Sequence, residues 1–288
     1  MSKVSLIVTY YPQIITLKKL VSDLLNEDTK IIIIDNSNEG FDSEGEIIFN
    51  KCDIHNLFQN YGIAKAQNLG LELSKKYDPE YILYFDQDSM IGSNYINQII
   101  KPLENGYDIS CPLVIDESLK FVYNPIIINR YGYPCKAKII DDNLISIDYS
   151  ISSGTAIHYE TLVSIGGFIE SFFIDFVDTE WFLRAKHLKF KTSCNPQAKL
   201  HHKIGDKSLD FRLFNLQLHS PFRTYYKTRN CLYLFNIKYI PILYKIRELI
   251  IVIIFNLVTI TISKQRLKHL NKIYLGIKDG LFSPLKNL

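Results

Sequence analysis

Two aspartates one residue apart, Asp86 and Asp88, follow the apolar run Tyr81-Ile82-Leu83-Tyr84 in this chain of 288 residues. The run reads as a short buried strand, so both carboxylates stand where a strand leaves the core. In an open α/β sheet, ligands collect at the carboxyl ends of the strands. A carboxylate pair there suits a hard divalent cation, and such a cation commonly carries phosphates with it. The competing reading is a solvated turn that caps the next helix near Ser93. A second acidic group, Asp175, Asp178 and Glu180, lies in the aromatic segment Phe172 to Trp181. A carboxylate beside Phe176, Val177 and Trp181 loses solvation, which raises its pKa and suits it to accept a proton. The same residues also suit a helix N-terminus, with Asp178 as N-cap and Glu180 favourable to the dipole. Trp181 either stacks on a ligand or fills core. Farther on, His201 and His202 end a strand-like run. Arg223, Tyr225, Tyr226, Lys227, Arg229 and Asn230 then form a basic-aromatic cluster. That cluster reads as a solvated helix face with its tyrosines packed inward, or as a diphosphate site.

The elements that must position these groups follow from periodicity. Val4 to Thr9 is a β-branched strand, and Pro12 punctuates it. Ile14, Leu17, Leu20, Val21, Leu24 and Leu25 repeat at helical spacing. Lys30 to Ile34 is a second buried strand, ending at Asp35-Asn36-Ser37. A third strand is expected near Glu46 to Phe49. A helix over Ile63 to Lys76 closes before Asp78-Pro79. The strand Tyr81 to Phe85, a helix from Asn94 to Leu103 and a strand from Ile109 to Val114 follow. Strands alternating with helices imply a mainly parallel α/β sheet covered on both faces. The pattern loosens between Asp116 and Tyr149, where strands or a hairpin are expected. Order returns at Ile151 to Ile157, then a helix over Tyr159 to Ser164, a helix through His187 and the strand Lys191 to Leu200.

Leu249 to Ser263 is almost continuously apolar, broken by Asn256 and flanked by Lys245, Arg247, Lys264, Arg266 and Lys268. It is shorter than the eighteen or so residues of a spanning helix. It reads either as a buried helix or as an interfacial helix on anionic lipid. Lys and Arg total 33 against 30 Asp and Glu, a balance too mild to argue for nucleic acid. The five cysteines lie far apart with no Cys-x-x-Cys, which fits a reducing compartment rather than a disulfide framework or zinc site. Met1 to Tyr10 runs straight into a strand and shows no signal-peptide pattern. The expected location is therefore cytoplasmic, peripheral at the inner face of the cell membrane.

Taken in order, six motifs resemble the inverting family 2 glycosyltransferases of GT-A fold, in their bacterial rhamnosyltransferase-like subgroup. They are Val8-Thr9-Tyr10-Tyr11-Pro12; Ile34-Asp35-Asn36-Ser37; Asn60-Tyr61-Gly62-Ile63-Ala64-Lys65-Ala66-Gln67-Asn68-Leu69-Gly70; Asp86-Gln87-Asp88; Phe173 to Trp181 followed by Arg184; and His202-Lys203-Ile204-Gly205-Asp206. The resemblance covers roughly the first 235 residues. It implies a Rossmann-like GT-A domain over residues 1–215 and a helical C-terminal extension over 216–288.

The resemblance also implies roles. Asp35 accepts from the imide N–H of a uracil or thymine base, with Thr9 and Tyr11 lining the same pocket; the competing reading of Asp35 is a turn-forming residue. Gly62 lets the backbone approach a ligand. Asn68 braces its loop or touches the donor. Asp86, with Gln87 beside it, contacts ribose or metal-bound water. Asp88, joined by Asp86 and by His202 with His201 as its rival, holds Mn2+ or Mg2+. Asp178 is the catalytic base, with Glu180 and Arg184 at the family spacing and Asp175 as its rival. Arg223 and Arg229 belong to the donor side or to a polyprenyl-diphosphate acceptor. The implied reaction transfers a hexose, L-rhamnose from dTDP-L-rhamnose or a sugar from a UDP-hexose, onto a surface polysaccharide or lipid-linked glycan. A sugar nucleotidyltransferase would carry a Gly-rich basic loop early in the chain, and Tyr10 to Gln13 has none. A non-catalytic membrane-associated partner is disfavoured by the intact acidic set.

Overall fold

The computed structural model describes residues 2–116, 121–139, 141–201, 208–211, 214–217, 220–283 and 285. Strands β1 (Lys3–Thr9), β2 (Lys30–Asp35), β3 (Asp53–Asn56) and β4 (Tyr81–Asp86) run parallel in the spatial order β3-β2-β1-β4. Side chains alternate across the sheet, as a two-residue period requires. Ile31 and Ile33 face one core with α1 (Ile14–Asn26), while Ile32 and Ile34 face the other with α2 (Ile63–Ser74). Burial on both faces explains why these strands are unbroken apolar runs.

The sheet continues beyond β4 in the order β4-β11-β6-β12-β10, through β6 (Ile109–Asp116), β10 (Ile145–Ile147), β11 (Ala156–His158) and β12 (Thr192–His201). β11 is antiparallel to both of its neighbours, so the sheet is mixed although mainly parallel. Short β5 (Met90–Ile91) pairs with β12, and β7 (Phe121–Tyr123) pairs with β6. The loosely patterned region adds a hairpin of β8 (Ile126–Ile128) and β9 (Pro134–Lys136). β13 (Ser208–Phe211) and β14 (Phe214–Gln217) pair antiparallel. Helices α3 (Tyr95–Glu104), α4 (Tyr159–Ile165) and α5 (Val177–His187) complete the layers.

Three expectations are corrected. Ile47–Lys51 is a 3-10 turn, and the third strand lies farther on at Asp53–Asn56. The turn buries only Phe49, whereas β3 completes the edge beside β2. Asn94 in the left-handed region, not Ser93, precedes α3. The C-terminal helices are α6 (Pro221–Tyr233), α7 (Ile242–Ile262) and α8 (Arg266–Phe282). α6 and α8 pack closely because Gly276 and Gly280 face α6: a Cβ on Gly276 would lie 2.8 Å from the Tyr225 carbonyl. The buried-helix reading of the apolar run holds for one face only. α7 buries Tyr244, Val252, Phe255 and Thr259 but leaves its opposite side open.

Candidate active site

Parallel register brings the polar strand ends together. Thr9 lies beside Asp35, and Val8 beside Asp86, at the carboxyl edges of β2, β1 and β4. The connection reverses direction between β1 and β4, the place where open α/β sheets leave a crevice. Gln87 spans that crevice. Its Oε1 accepts from the Tyr10 N–H at 2.7 Å, and its Nε2 donates to the Tyr10 carbonyl at 3.3 Å.

Asp35 is 0% exposed. Its Oδ1 accepts from the hydroxyls of Thr9 (2.7 Å) and Ser37 (2.9 Å), and its Oδ2 from the Ser37 N–H (3.0 Å). In this structure Asp35 and Thr9 therefore brace the loop from within. Tyr11 stands at φ 47°, half exposed, and its N–H donates to Ser37 Oγ at 2.7 Å. It is the member of this trio open to a ligand.

Asp86 and Asp88 are both half-buried at the end of β4. The Asp86 N–H donates to Ser153 Oγ at 3.0 Å, and Ser153 Oγ shares a 2.8 Å hydrogen bond with Ser89 Oγ. Asp178 faces the same crevice from the second residue of α5. The N-cap of α5 is Phe176 in the left-handed region, so the expectation that Asp178 caps the helix is corrected. Burial pushes the Asp178 carboxyl up from the ordinary 3.8 to about 6. The nearby Asp86 charge adds to the rise, and the polar groups of Ser152 oppose it.

The loop ahead of Asp178 is held from several sides. Asn230 Nδ2 donates to the carbonyls of Phe172 (2.7 Å), Ile174 (2.7 Å) and Asp175 (3.0 Å). Arg223 grips both oxygens of Asp175 at 3.0 to 3.2 Å, so the rival carboxylate is ion-paired. Arg229 donates to the Ser171 and Phe172 carbonyls and lies over the rings of Tyr225, Tyr226 and Tyr233. The basic-aromatic cluster thus fastens α6 to the loop. Gly62, at φ 87°, lets backbone approach, but what approaches is the chain itself: a Cβ there would sit 2.6 Å from the Phe173 carbonyl. Asn68 braces rather than reaches out. Its Oδ1 accepts from Phe168 N–H at 2.7 Å, and its Nδ2 donates to the Phe168 carbonyl at 2.9 Å.

Glu180 and Arg184 are paired with each other. Glu180 is 1% exposed; both oxygens accept from Arg184, at 2.9 and 3.0 Å, and the Tyr239 hydroxyl adds a third bond. Arg184 also donates to the carbonyls of Ile165 (3.1 Å) and Gly167 (2.7 Å). The pair, expected as catalytic and donor-binding, locks α5 to the preceding loop in this structure. Trp181 is core, with its indole N–H on the Gly166 carbonyl at 2.8 Å. His202, and with it Gly205 and Asp206, lies outside the described residues. Sequence reading gave no role to Ser152, Ser153 or Gln67. A Ser-Ser-Gly turn before a strand was visible, but nothing local shows which carboxylate it meets.

The donor chemistry fits a divalent cation. Asp86 and Asp88 offer hard oxygen ligands, and the repulsion between Asp86 and Asp178 is a field that a cation relieves. Among the described residues no group of three or more His, Cys, Asp or Glu side chains could hold a metal ion. A cation on this pair would complete its shell with water and substrate phosphate, the habit of Mg2+.

Sheet and crevice together have the arrangement of the GT-A fold. The chain matches the family described as Glycosyl transferase family 2 over residues 5–157. It is 32% identical over 279 residues to a dTDP-rhamnosyl transferase, RfbF, of Shigella flexneri, covering 96% of this chain and 94% of that one. The chain therefore belongs to glycosyl transferase family 2. Among solved structures it resembles GalNAc-T7 with UDP, GalNAc and Mn2+ (TM-score 0.57, 12% identity, 98% of this chain and 56% of that one). It also resembles S. aureus TarS (TM-score 0.53, 16% identity, 98% of this chain and 49% of that one). The chain spans about half the length of these two structures, and at such identities the likeness speaks to fold.

Proposed function

We propose that this enzyme transfers L-rhamnose from dTDP-L-rhamnose, with inversion, to a hydroxyl of a surface glycan. The observation that carries the reading is the placing of Asp178 opposite the Asp86–Asp88 turn, at the crevice between β1 and β4. The Shigella relative supports the choice of donor. Tyr11 and the Asp35 loop would seat the base. Asp178 would accept the proton of the attacking acceptor hydroxyl as its oxygen bonds to the anomeric carbon. A carboxyl titrating near 6 is largely ionised at neutral pH yet basic enough for this step. A cation held by Asp86 and Asp88, Mn2+ or Mg2+, would supply charge neutralisation at the departing diphosphate. The test is a thermal-shift screen. dTDP-L-rhamnose with Mn2+ should raise the melting temperature more than UDP-glucose with Mn2+; the reverse order would reject the donor assignment.

We infer further that residues 216–288 form an accessory part that rests on anionic lipid at the inner face of the cell membrane. Among the described residues, no helix is long and apolar enough to cross a membrane. On α7, Leu243, Ile246, Ile250, Ile253 and Leu257 follow a three-four spacing and are 42% to 60% exposed. On α8, Leu267, Leu270, Tyr274, Ile277 and Leu281 repeat that spacing at 43% to 82% exposure. Such stripes mark a partner surface. Residues 242–282 carry seven basic side chains against two acidic, which favours an anionic surface over a second copy of the same positive patch. The protein should sediment with vesicles containing anionic phospholipid and be partly released by high salt. Failure to sediment, with dimerisation through α7 instead, would reject the lipid reading.

A further inference from the structure

The three C-terminal helices flank a groove of about 360 Å³, separate from the crevice. Leu232 of α6 lies on its floor; Ile253, Leu257 and Ile260 of α7 form one wall, and Ile273 and Ile277 of α8 the other. Packing explains why it stays open. Gly276 and Gly280 let α8 lie directly on α6: a Cβ on Gly280 would come within 2.8 Å of the Leu232 Cβ. Asn256 Nδ2 donates to Thr228 Oγ1 at 3.0 Å and fastens α7 to the same helix. Thr228 Oγ1 in turn donates to the Thr224 carbonyl at 2.8 Å, so that hydroxyl is spent inside the bundle. Both walls are anchored to the floor, and aliphatic side chains face the space between them.

Size selects the occupant. From Leu249 to Ile260, α7 rises about 16 Å, which gives the groove a mean cross-section of about 20 Å². A helix with its side chains is about 10–12 Å across, about 80–110 Å², and does not enter. A hydrocarbon chain packed at carbon–carbon distances of about 4.0–4.5 Å takes about 16–20 Å². The groove therefore fits one chain, and about twelve methylenes at about 1.3 Å each fill its length.

Charge gives the chain a direction. Ile260 and Ile273 lie at the end of the groove next to the α7–α8 connection, where Lys264, Arg266 and Lys268 are exposed. No acidic residue occurs from Leu249 to Lys278, whereas Leu249 and Leu281, at the other end, adjoin Glu248 and Asp279 in sequence. α8 also begins beside the start of α6: His269 Nδ1 and Thr224 Oγ1 lie 3.0 Å apart. Arg223, the residue before Thr224, grips Asp175, three residues before Asp178. A phosphate held at the basic connection thus stands at the end of α6 that holds Asp175, and a tail in the groove leads away from it.

We propose that this groove binds the single hydrocarbon tail of a phosphate-headed lipid, with the phosphate at Lys264, Arg266 and Lys268 and the tail running toward Leu249 and Leu281. The inference rests on the reading of residues 216–288 as a lipid-facing part. It adds a site for one lipid molecule where that reading needs only a surface.

The experiment uses the full-length protein and n-alkyl phosphates below their micellar concentrations, with binding followed by calorimetry. Affinity should rise about 2- to 4-fold per added methylene and level off near about twelve carbons, where the groove ends. Dodecyl phosphate should bind at least about tenfold tighter than dodecyl maltoside, which keeps the tail and lacks the charge. Leu257 and Ile277 are 60% and 43% exposed, so Leu257→Trp and Ile277→Trp should fill the groove from opposite walls without lowering the melting temperature. Each should weaken dodecyl phosphate binding at least about tenfold and leave sedimentation with anionic vesicles unchanged. Ile250→Trp, on α7 but outside the groove, should bind as wild type does. Affinity that keeps rising well past twelve carbons, equal binding of the phosphate and the maltoside, or wild-type binding in both groove variants would overturn the proposal. Tighter binding of a short-chain diacyl phosphatidic acid than of the alkyl phosphate of equal chain length would assign the groove to two-chain membrane lipid and overturn it as well. If the protein ignores both anionic vesicles and every alkyl phosphate, the lipid reading fails and the site with it. If it sediments with vesicles but shows no dependence on chain length, only the site fails.

Discussion

Asp178→Asn should make the protein more stable while it removes turnover. Folding lifts this carboxyl from 3.8 to about 6, chiefly by burial and secondly by the Asp86 charge. Two pKa units correspond to about 3 kcal/mol, and partial solvent access at Asp178 reduces this to about 1–3 kcal/mol. The sign follows from proton linkage. Between pH 4 and 6 the folded protein keeps a proton that the unfolded chain has released, so stability falls as pH rises through that window. Above it the whole penalty is in force. Asparagine keeps the shape and carries no charge. In chelator at pH 7.5 the variant should melt about 2–6 °C above wild type, and the gap should shrink as pH falls toward 4. Turnover should fall by about 10²–10⁴-fold. The assay is differential scanning fluorimetry across pH beside a dTDP-release assay. A lower melting temperature at pH 7.5 would refute the argument, because it would mean that the Asp178 carboxylate stabilises the fold. Asp175→Asn is the contrast: it breaks the pair with Arg223, so it should lower the melting temperature.

Three further outcomes follow from the geometry. Glu180→Gln leaves Arg184 without its counter-charge in a nearly closed site and should cost about 3–5 kcal/mol in chemical denaturation. Gly62→Ala forces a side chain onto φ 87° and against the Phe173 carbonyl; it should cost at least about 1–3 kcal/mol and loosen the loop before Asp178, measured by hydrogen exchange at residues 170–176. Asp88→Ala should abolish the difference in dTDP stabilisation between Mn2+ and chelator, and equal stabilisation of the wild-type protein in both would remove the cation from the site.

Much of this molecule is written locally. The alternation in Ile31 to Ile34 assigns each residue to one face of β2, and the three-four spacing of Leu17, Leu20, Val21 and Leu24 specifies α1. Polar residues closing apolar runs put Asp35 and Asp86 at strand ends, where register then aligns them with β1. The expected third strand failed because Ile47-Ile48-Phe49 is a short apolar run with no period. The true strand, Asp-Ile-His-Asn at the sheet edge, is largely polar and gives little apolar signal. The i, i+4 pairing of Glu180 with Arg184 could be read from spacing. That Tyr239 and the Gly167 carbonyl would close over them could not.

The sequence by itself determined the periodicities, the strand ends and the carboxylates available for chemistry, because each depends on neighbours within a turn or two of chain. Tertiary structure decided which carboxylate stays in the crevice. Asp175 is drawn away by Arg223, 48 residues on, and Glu180 by Tyr239, 59 residues on. Asp178 is left facing Asp86, while Gln67 reaches across 85 residues to Ser152. Such pairings arise only when the strand order is fixed, since the sheet, not the chain, sets how far apart those side chains lie.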